Sequence, residues 1–324
     1  IDLKNPMENN LFSELKGVID SCKVGFEKES LRVINSEISQ NIHPESLGSA
    51  LCNKYITTDF SEAQTELVTP PFHDKIQGLK FLEDIHHFVS CNIKDEILWP
   101  FSMPPPIDDE KDIPIANYGS SNLGLFKRRY RTGLSERYGS LMQTISGIHY
   151  NYSVPESIWE SSLFKNTDIN PKIIRSDAYF NMLRNIYRIN WLVLYLFGAS
   201  PILTRNFVNE EEKGFNQLDN QTLYLPYATS LRMSNFGYQN TRRRKLEVSI
   251  NSINEYVSDL SNATKTIDPD FAKIHSTSTN LKAQINENVL QIDDEYYAIA
   301  RAKSKIISGQ RTTSNLNQGG VDFI

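Results

Sequence analysis

The run Gly25-Phe-Glu-Lys-Glu-Ser-Leu-Arg-Val33 constrains this chain more than any other, because it sets two acids, Glu27 and Glu29, one residue apart in strand-forming sequence. Alternate side chains of a strand share a face, so both carboxylates point the same way. They then lie roughly 6.5–7 Å apart, where ionised carboxylates repel and one is pushed to a higher pKa. Such a face is either solvated or one wall of a cation site, and the run alone leaves both readings open.

The rest of the chain supplies candidate partners. Tyr55-Ile-Thr-Thr-Asp-Phe-Ser-Glu-Ala-Gln-Thr-Glu-Leu-Val-Thr69 is rich in strand formers and carries Asp59 and Glu66. Their spacing is odd, so an unbroken strand would put them on opposite faces, and a shared site requires a bulge or break between them. Ile145-Ser-Gly-Ile-His-Tyr-Asn-Tyr-Ser-Val154 is the clearest strand, with Ile148, Tyr150, Tyr152 and Val154 on one face and Gly147, His149, Asn151 and Ser153 on the other. His149 thus stands on a small polar face, either as a satisfied structural histidine or beside a ligand lying over Gly147. Arg232 sits alone in a mostly neutral run, which suggests a buried anion partner or a surface snorkel.

Helices are expected over residues 9–21, from an Asp74 N-cap to about Asn92, over the basic run Phe126–Leu134, and from Pro171 to Gly198, there as one long buried helix or a broken pair. In the last, Phe180, Leu183, Tyr187, Trp191 and Leu194 are expected to face inward. His86 and His87 are neighbours on a helix and diverge by about 100°, so they do not share a metal. Trp99-Pro-Phe-Ser-Met-Pro-Pro-Pro106 is neither helix nor central strand and reads as a fixed loop passing near something. Toward the end we expect a helix from about Ile253 to Lys265, a polar strand Asn288–Ala298, a loop over 308–318, and the start of a strand in Gly319-Gly-Val-Asp-Phe-Ile324. The Arg242-Arg-Arg-Lys245 cluster reads as a solvated loop.

A chain of 324 residues with 39% hydrophobic and 23% charged residues is an ordinary globular protein, long enough for a deep cleft. Its net charge of −5 argues against a surface devoted to nucleic acid and leaves room for local anion pockets. Three widely spaced cysteines without a CxxC support neither a disulfide framework nor a zinc site, and fit a reducing cytoplasm. The first ten residues lack an uninterrupted apolar stretch, so no secretory leader is expected; the first residue is Ile rather than Met, so a start upstream of it is an expectation.

Singly these signals are weak, but their series is specific. Gly25–Val33, Leu47-Gly-Ser-Ala50, Ile56-Thr-Thr-Asp-Phe60 with Glu66-Leu-Val-Thr-Pro70, Trp99-Pro-Phe-Ser-Met-Pro104, Tyr138-Gly-Ser-Leu-Met-Gln-Thr-Ile-Ser-Gly-Ile-His-Tyr-Asn151 and Leu225-Pro-Tyr-Ala-Thr-Ser-Leu-Arg232 occur in this order. Together they closely resemble the glutamate-cysteine ligase (gamma-glutamylcysteine synthetase) family of proteobacterial type, from about residue 17 to the end.

The resemblance implies an α+β fold related to glutamine synthetase, an antiparallel sheet curled into a funnel with outer helices, in one incomplete catalytic domain over 1–324. It implies an ATP-dependent ligase that joins the γ-carboxyl of L-glutamate to the amine of L-cysteine through a γ-glutamyl phosphate, the first step of glutathione synthesis. Glu27, Glu29, Asp59, Glu66 and His149 would line a cluster of Mg²⁺ or Mn²⁺ ions bridging ATP and glutamate. Arg131 and Arg232 would be catalytic and contact phosphates or substrate. Phe60, Tyr130, Leu134, Tyr238 and Tyr297 would wall the cysteine pocket. Neither nucleic acid nor membrane is an implied partner.

In the family the last strand continues into Glu-Val-Arg, bringing another metal ligand and a glutamate-binding Arg, and then into a helical C-terminal part. The 324 residues stop just before it, so the chain alone is expected to have little ligase activity, whether as a fragment, as half of a split enzyme or as the product of a decayed gene. The alternatives are a non-catalytic or complementation-dependent fragment, and a related carboxylate-amine ligase with another amine acceptor.

Overall fold

The computed structural model describes residues 16–160, 169–198, 200–208, 214–234, 236–237, 246–277, 283–304 and 311–324. Tyr238 and the 242–245 cluster lie outside them, as does most of the expected 9–21 helix, of which residues 16–21 are helical.

The acidic run forms β1 (Lys23–Ile34), the longest strand and the hub of the main sheet. A short β2 (Glu37–Ile38) follows, and then β3 (Ile56–Thr58) and β4 (Gln64–Val68). The stretch read as one strand over Tyr55–Thr69 is therefore a hairpin, pairing Thr57 with Glu66 and bonding Asp59 N to Gln64 O at 3.0 Å. That turn is the break the odd spacing demanded, and it brings Asp59 and Glu66 to one face.

Helix α1 (Lys75–Asn92) starts where expected, the Asp74 carboxylate accepting from Ile76 N. After β5 (Ile97–Leu98), α2 (Asn122–Tyr138) carries the basic run and is capped by Ser121, and α3 (Ser140–Gln143) leads to β6 (Ile148–Ser153). The main sheet is antiparallel, with β4 and β6 on the two sides of β1 and β3 beyond β4.

The second half begins with α4 (Pro171–Phe197) and a small sheet of β7 (Ile202–Thr204), β8 (Asn216–Gln217) and β9 (Thr222–Tyr224). It continues with α5 (Ile253–Ala263), α6 (Pro269–Thr277), β10 (Lys303–Ser304), α7 (Thr312–Gly319) and β11 (Val321–Phe323).

Three expectations need correction here. The stretch 288–298 is not a strand; it is irregular with one 3-10 turn at Asp293–Glu295. Part of the 308–318 loop is helix α7. In α4, Phe180 and Leu183 are buried as expected, but Tyr187 and Trp191 are exposed and Leu194 is only half-buried.

Two buried clusters flank the acidic strand. One gathers Leu31, Val33, Phe60, Leu134, Leu141, Ile145 and Leu231; the other gathers Tyr179, Phe180, Leu183, Tyr256, Leu260, Leu316, Val321 and Ile324. Among the described residues no helix is long and apolar enough to cross a membrane.

Candidate active site

The register of the main sheet assembles the site. Glu27 lies opposite His149 on β6, and Glu29 lies opposite Glu66 on β4. Opposed residues in an antiparallel ladder have Cβ atoms about 4.5–5.5 Å apart, so the Glu29–Glu66 rung forces two carboxylates together. Asp59, just past the end of β3 and two residues on from Thr57, the partner of Glu66, joins the same face. All five acidic and histidine candidates are thus gathered on one side of one sheet.

The two β1 acids have different neighbours. Glu27 accepts from Asn151 Nδ2 at 2.9 Å and Lys303 Nζ at 3.2 Å, and its Oε2 lies 3.0 Å from His149 Nδ1. Burial works against its ionisation, but His149, Lys303 and Asn151 outweigh it and hold the carboxyl well below the usual range. Glu29 accepts from Gly147 N at 2.8 Å and has Arg232 at 4.0 Å. Burial and the Asp59 charge nevertheless push it up to about 7. Glu66 is raised as well, by burial and then by Asp59, Glu29 and Glu27. Near neutral pH this face therefore favours an added proton or cation.

The arginines approach from separate segments. Arg232 donates to Ile145 O at 3.0 Å and, more weakly, to Tyr297 Oη at 3.4 Å. Its guanidinium occupies the space over Gly147, where any Cβ would collide with it. The bulky group that the bare Gly147 leaves room for is thus a side chain of the protein itself. Arg131 donates through Nε to Asp59 O, lies 4.0 Å from the Asp59 carboxylate and stacks 4.7 Å above the Tyr118 ring. Tyr118 in turn donates to Thr58 O at 2.6 Å and fixes this corner.

The Trp99–Pro106 loop braces Gly147 from below. Ser102 Oγ donates to Ser146 O at 2.5 Å, and Ser146 N donates back to Ser102 O at 2.8 Å.

Of the expected pocket residues, Phe60 and Leu134 are buried in the first core cluster and Tyr130 packs partly buried against it. Tyr297 is half-buried, its hydroxyl near Arg232 and the Met233 sulfur. Sequence reasoning did not single out Lys303, Tyr118 or Lys127. Lys303 is far away in sequence and only the fold brings it to Glu27, whereas Lys127, on the basic run of α2, reaches the site by stacking 4.9 Å over the Tyr118 ring.

A cavity of about 630 Å³ opens along the sheet from Glu27, Gly25 and Asn151 toward Tyr296, Arg301, Lys303 and Phe323. Among the described residues no three His, Cys, Asp or Glu side chains form a ready-made metal ligand set, since Glu27 and His149 bond to each other and Glu27 also to Lys303. The donor chemistry still suits a hard cation: Glu29, Glu66 and Asp59 carry repelling charge that a divalent ion would relieve.

Residues 10–324 match the sequence profile of the family described as Glutamate-cysteine ligase. The chain is 44% identical over 302 residues to the "Glutamate--cysteine ligase" of Aliivibrio salmonicida, covering 93% of this chain and 58% of that protein. It is 45% identical over 321 residues to the protein of the same name from Alcanivorax borkumensis, covering 97% and 61%. Among solved structures, the glutamate–cysteine ligase of Francisella tularensis in complex with AMP superposes with a TM-score of 0.86 at 37% identity, over 94% of this chain and 60% of that one. A bifunctional glutathione synthetase from Pasteurella multocida superposes at 0.73 and 26% identity, over 97% and 36%. The chain spans about three-fifths of the length of the curated relatives it matches.

Proposed function

The chain belongs to the glutamate-cysteine ligase family, and we propose that its acidic sheet face serves the ATP-dependent joining of the γ-carboxyl of L-glutamate to the amine of L-cysteine, the first step of glutathione synthesis. The observation that carries this reading is the Glu29–Glu66 rung, two carboxylates held together with raised pKa values and with Arg232 and Arg131 at their margins. A face arranged this way has no evident structural purpose and suits a site that receives cations and polyanions together.

In this reading a γ-carboxylate oxygen of glutamate attacks the γ-phosphorus of ATP, the bond to the β–γ bridging oxygen breaks, and ADP departs. The cysteine amine then attacks the acyl carbon of the γ-glutamyl phosphate, phosphate leaves with the C–O electron pair, and the amine loses a proton. Phosphoryl transfer of this kind depends on positioning and charge compensation. Glu27, Glu29, Asp59, Glu66 and His149 would hold Mg²⁺ or Mn²⁺, which would supply positive charge beside the phosphates. His149 brings a nitrogen donor that Mn²⁺ tolerates better than Mg²⁺.

Arg232, pinned by Ile145 O and packed on Gly147, offers a guanidinium that needs no reorganisation to meet an anionic oxygen. Arg131 does the same from the Asp59 side, with Tyr118 setting its plane. The cavity beside Glu27 is the place we assign to the nucleotide, with Arg301 and Lys303 toward its charged part. Phe60, Tyr130, Leu134, Tyr238 and Tyr297 would enclose the cysteine side chain. The likeness to the family also supports a funnel-like curl of the sheet with outer helices, in the manner of glutamine synthetase, and a cytoplasmic setting.

The test is calorimetry with ADP and Mn²⁺, followed by cysteine-dependent ADP release from ATP with glutamate and Mg²⁺. Nucleotide should bind only with the divalent ion, and binding should fall at least tenfold in Glu29→Gln and Glu66→Gln. Metal-independent binding that both variants retain would sink the assignment. Comparing cysteine, 2-aminobutyrate and polyamines identifies the amine acceptor.

A further inference from the structure

The negative charge of the acidic face is compensated unevenly. In one half the guanidinium of Arg131 lies 4.0 Å from the Asp59 carboxylate and that of Arg232 4.0 Å from Glu29, too far for hydrogen bonds. At Glu27 both carboxylate oxygens are engaged. Oε2 lies 3.0 Å from His149 Nδ1, while Oε1 accepts from Asn151 Nδ2 at 2.9 Å and from Lys303 Nζ at 3.2 Å. Lys303 also donates to Asn151 Oδ1 at 2.7 Å, so ammonium, amide and carboxylate close a ring. A hard cation would need the same carboxylate oxygens, and Lys303 already supplies positive charge there.

This ammonium is placed to leave. The Lys303 side chain is 33% exposed and lines the cavity beside Glu27. An ion pair so open to solvent contributes little to folding. The two-residue β10 is held instead by its ladder to β11, where Lys303 pairs with Phe323 and its ammonium lies 5.7 Å from that ring. Arg301 lines the same cavity but donates to Tyr296 O at 2.9 Å and to Asp294 O at 3.3 Å, which tie it to its own loop. Lysine also carries its compact charge on a flexible four-carbon stem with freely rotating donors, so it changes partners more readily than the planar fork of arginine.

We propose that Lys303 is the exchangeable counter-cation of Glu27: it keeps metal off this carboxylate in the free protein and turns to a polyphosphate entering the adjoining cavity, which uncovers Glu27. A polyphosphate concentrates more negative charge than one carboxylate and competes for the ammonium on better terms. Loading of Glu27 is thereby coupled to the nucleotide, whereas the Glu29–Glu66 rung accepts a cation without any such exchange. This role of Lys303 rests on the metal and nucleotide reading given under the proposed function.

Equilibrium dialysis at pH 8 counts the Mn²⁺ bound to the 324-residue chain with and without ADP. Without ADP, Lys303→Met should hold one more ion than the parent, or bind its last ion roughly tenfold more tightly. Lys303→Gln, which loses the charge and keeps a donor for Asn151, should do the same, and Lys303→Arg should match the parent. The gain should vanish in the double variant Lys303→Met, Glu27→Gln. Adding ADP should then bring fewer new ions to Lys303→Met than to the parent, because Glu27 is already open. Equal uptake by parent and Lys303→Met without ADP would overturn the proposal. So would a gain that survives Glu27→Gln, since it reports only a lost positive charge, or an equal increment on adding ADP. A chain that takes up no ADP counts against the proposed function, while an ion gained at Glu27 in Lys303→Met still supports Lys303 as the group that excludes it.

Discussion

Glu27 and Glu29 share a strand and a face, yet their carboxyls shift in opposite directions. The face was legible in the Glu-X-Glu spacing; the shifts were not, because the partners that hold Glu27 down, His149 first and then Lys303, join it across 122 and 276 residues of chain. Glu29 holds its proton more tightly folded than unfolded. Its contribution to stability is therefore full below its ordinary value of 4.5 and is lost as pH rises through about 7. Glu27 works the other way, stabilising above the ordinary carboxylate range and losing that as pH falls. Urea unfolding should accordingly find Glu29→Gln stabilised by about 1–3 kcal/mol at pH 8 and unchanged at pH 4. Glu27→Gln should be destabilised by about 1–2 kcal/mol at pH 8. A Glu29→Gln protein less stable than its parent at pH 8 would mean that the Gly147 and Arg232 contacts outweigh the burial of the charge.

Helix α2, which carries Arg131, is held by a latch near its far end. Arg137 donates to Gln284 Oε1 at 2.8 Å, to Asn286 O at 2.6 Å, to Asn288 O at 3.0 Å and to Glu295 Oε1 at 3.2 Å, over the Phe271 ring. Arg137 and Glu295 are both buried, so Arg137→Met removes the carboxylate's cationic partner and should cost about 3–5 kcal/mol in chemical denaturation. Adding Glu295→Gln should restore part of that loss, and strict additivity would show that the pair is not coupled. The same latch explains a misread element. The stretch 288–298 reads as a polar strand, but Gln291 N is bonded to Glu295 Oε2 at 2.6 Å and Gln291 O to Asn286 Nδ2 at 3.0 Å, so side chains satisfy its backbone. Helix α7 was hidden for a related reason. Its first turn is capped by the distant Asp293, which accepts from Thr313 N and Oγ1, while Arg311 offers no cap of its own. Elements whose signals are local, such as α1 with Asp74 or the alternation of β6, were readable; those completed by remote side chains were not.

At the scale of the whole molecule, cations and protons should compete for the acidic face. Millimolar Mn²⁺ is expected to raise the melting temperature by several degrees at pH 8 and by little at pH 5, where protons already neutralise part of the face. The Glu29→Gln, Glu66→Gln double variant should lose the pH 8 shift, and equal shifts at both pH values would place the metal elsewhere. The rung between Ile324 and Tyr152 bears on the same face through simple parity. Opposed residues of an antiparallel ladder look the same way, so a strand carried past that rung would set its next three positions against Asn151, Tyr150 and His149 in turn. Such a strand would turn its first and third positions to the acidic face, beside Asn151 and His149, and its second to the opposite face, beside Tyr150. The hydrogen-bond ladder of β6 thus acts as a ruler, giving each newcomer its side of the sheet before any side chain has met a substrate.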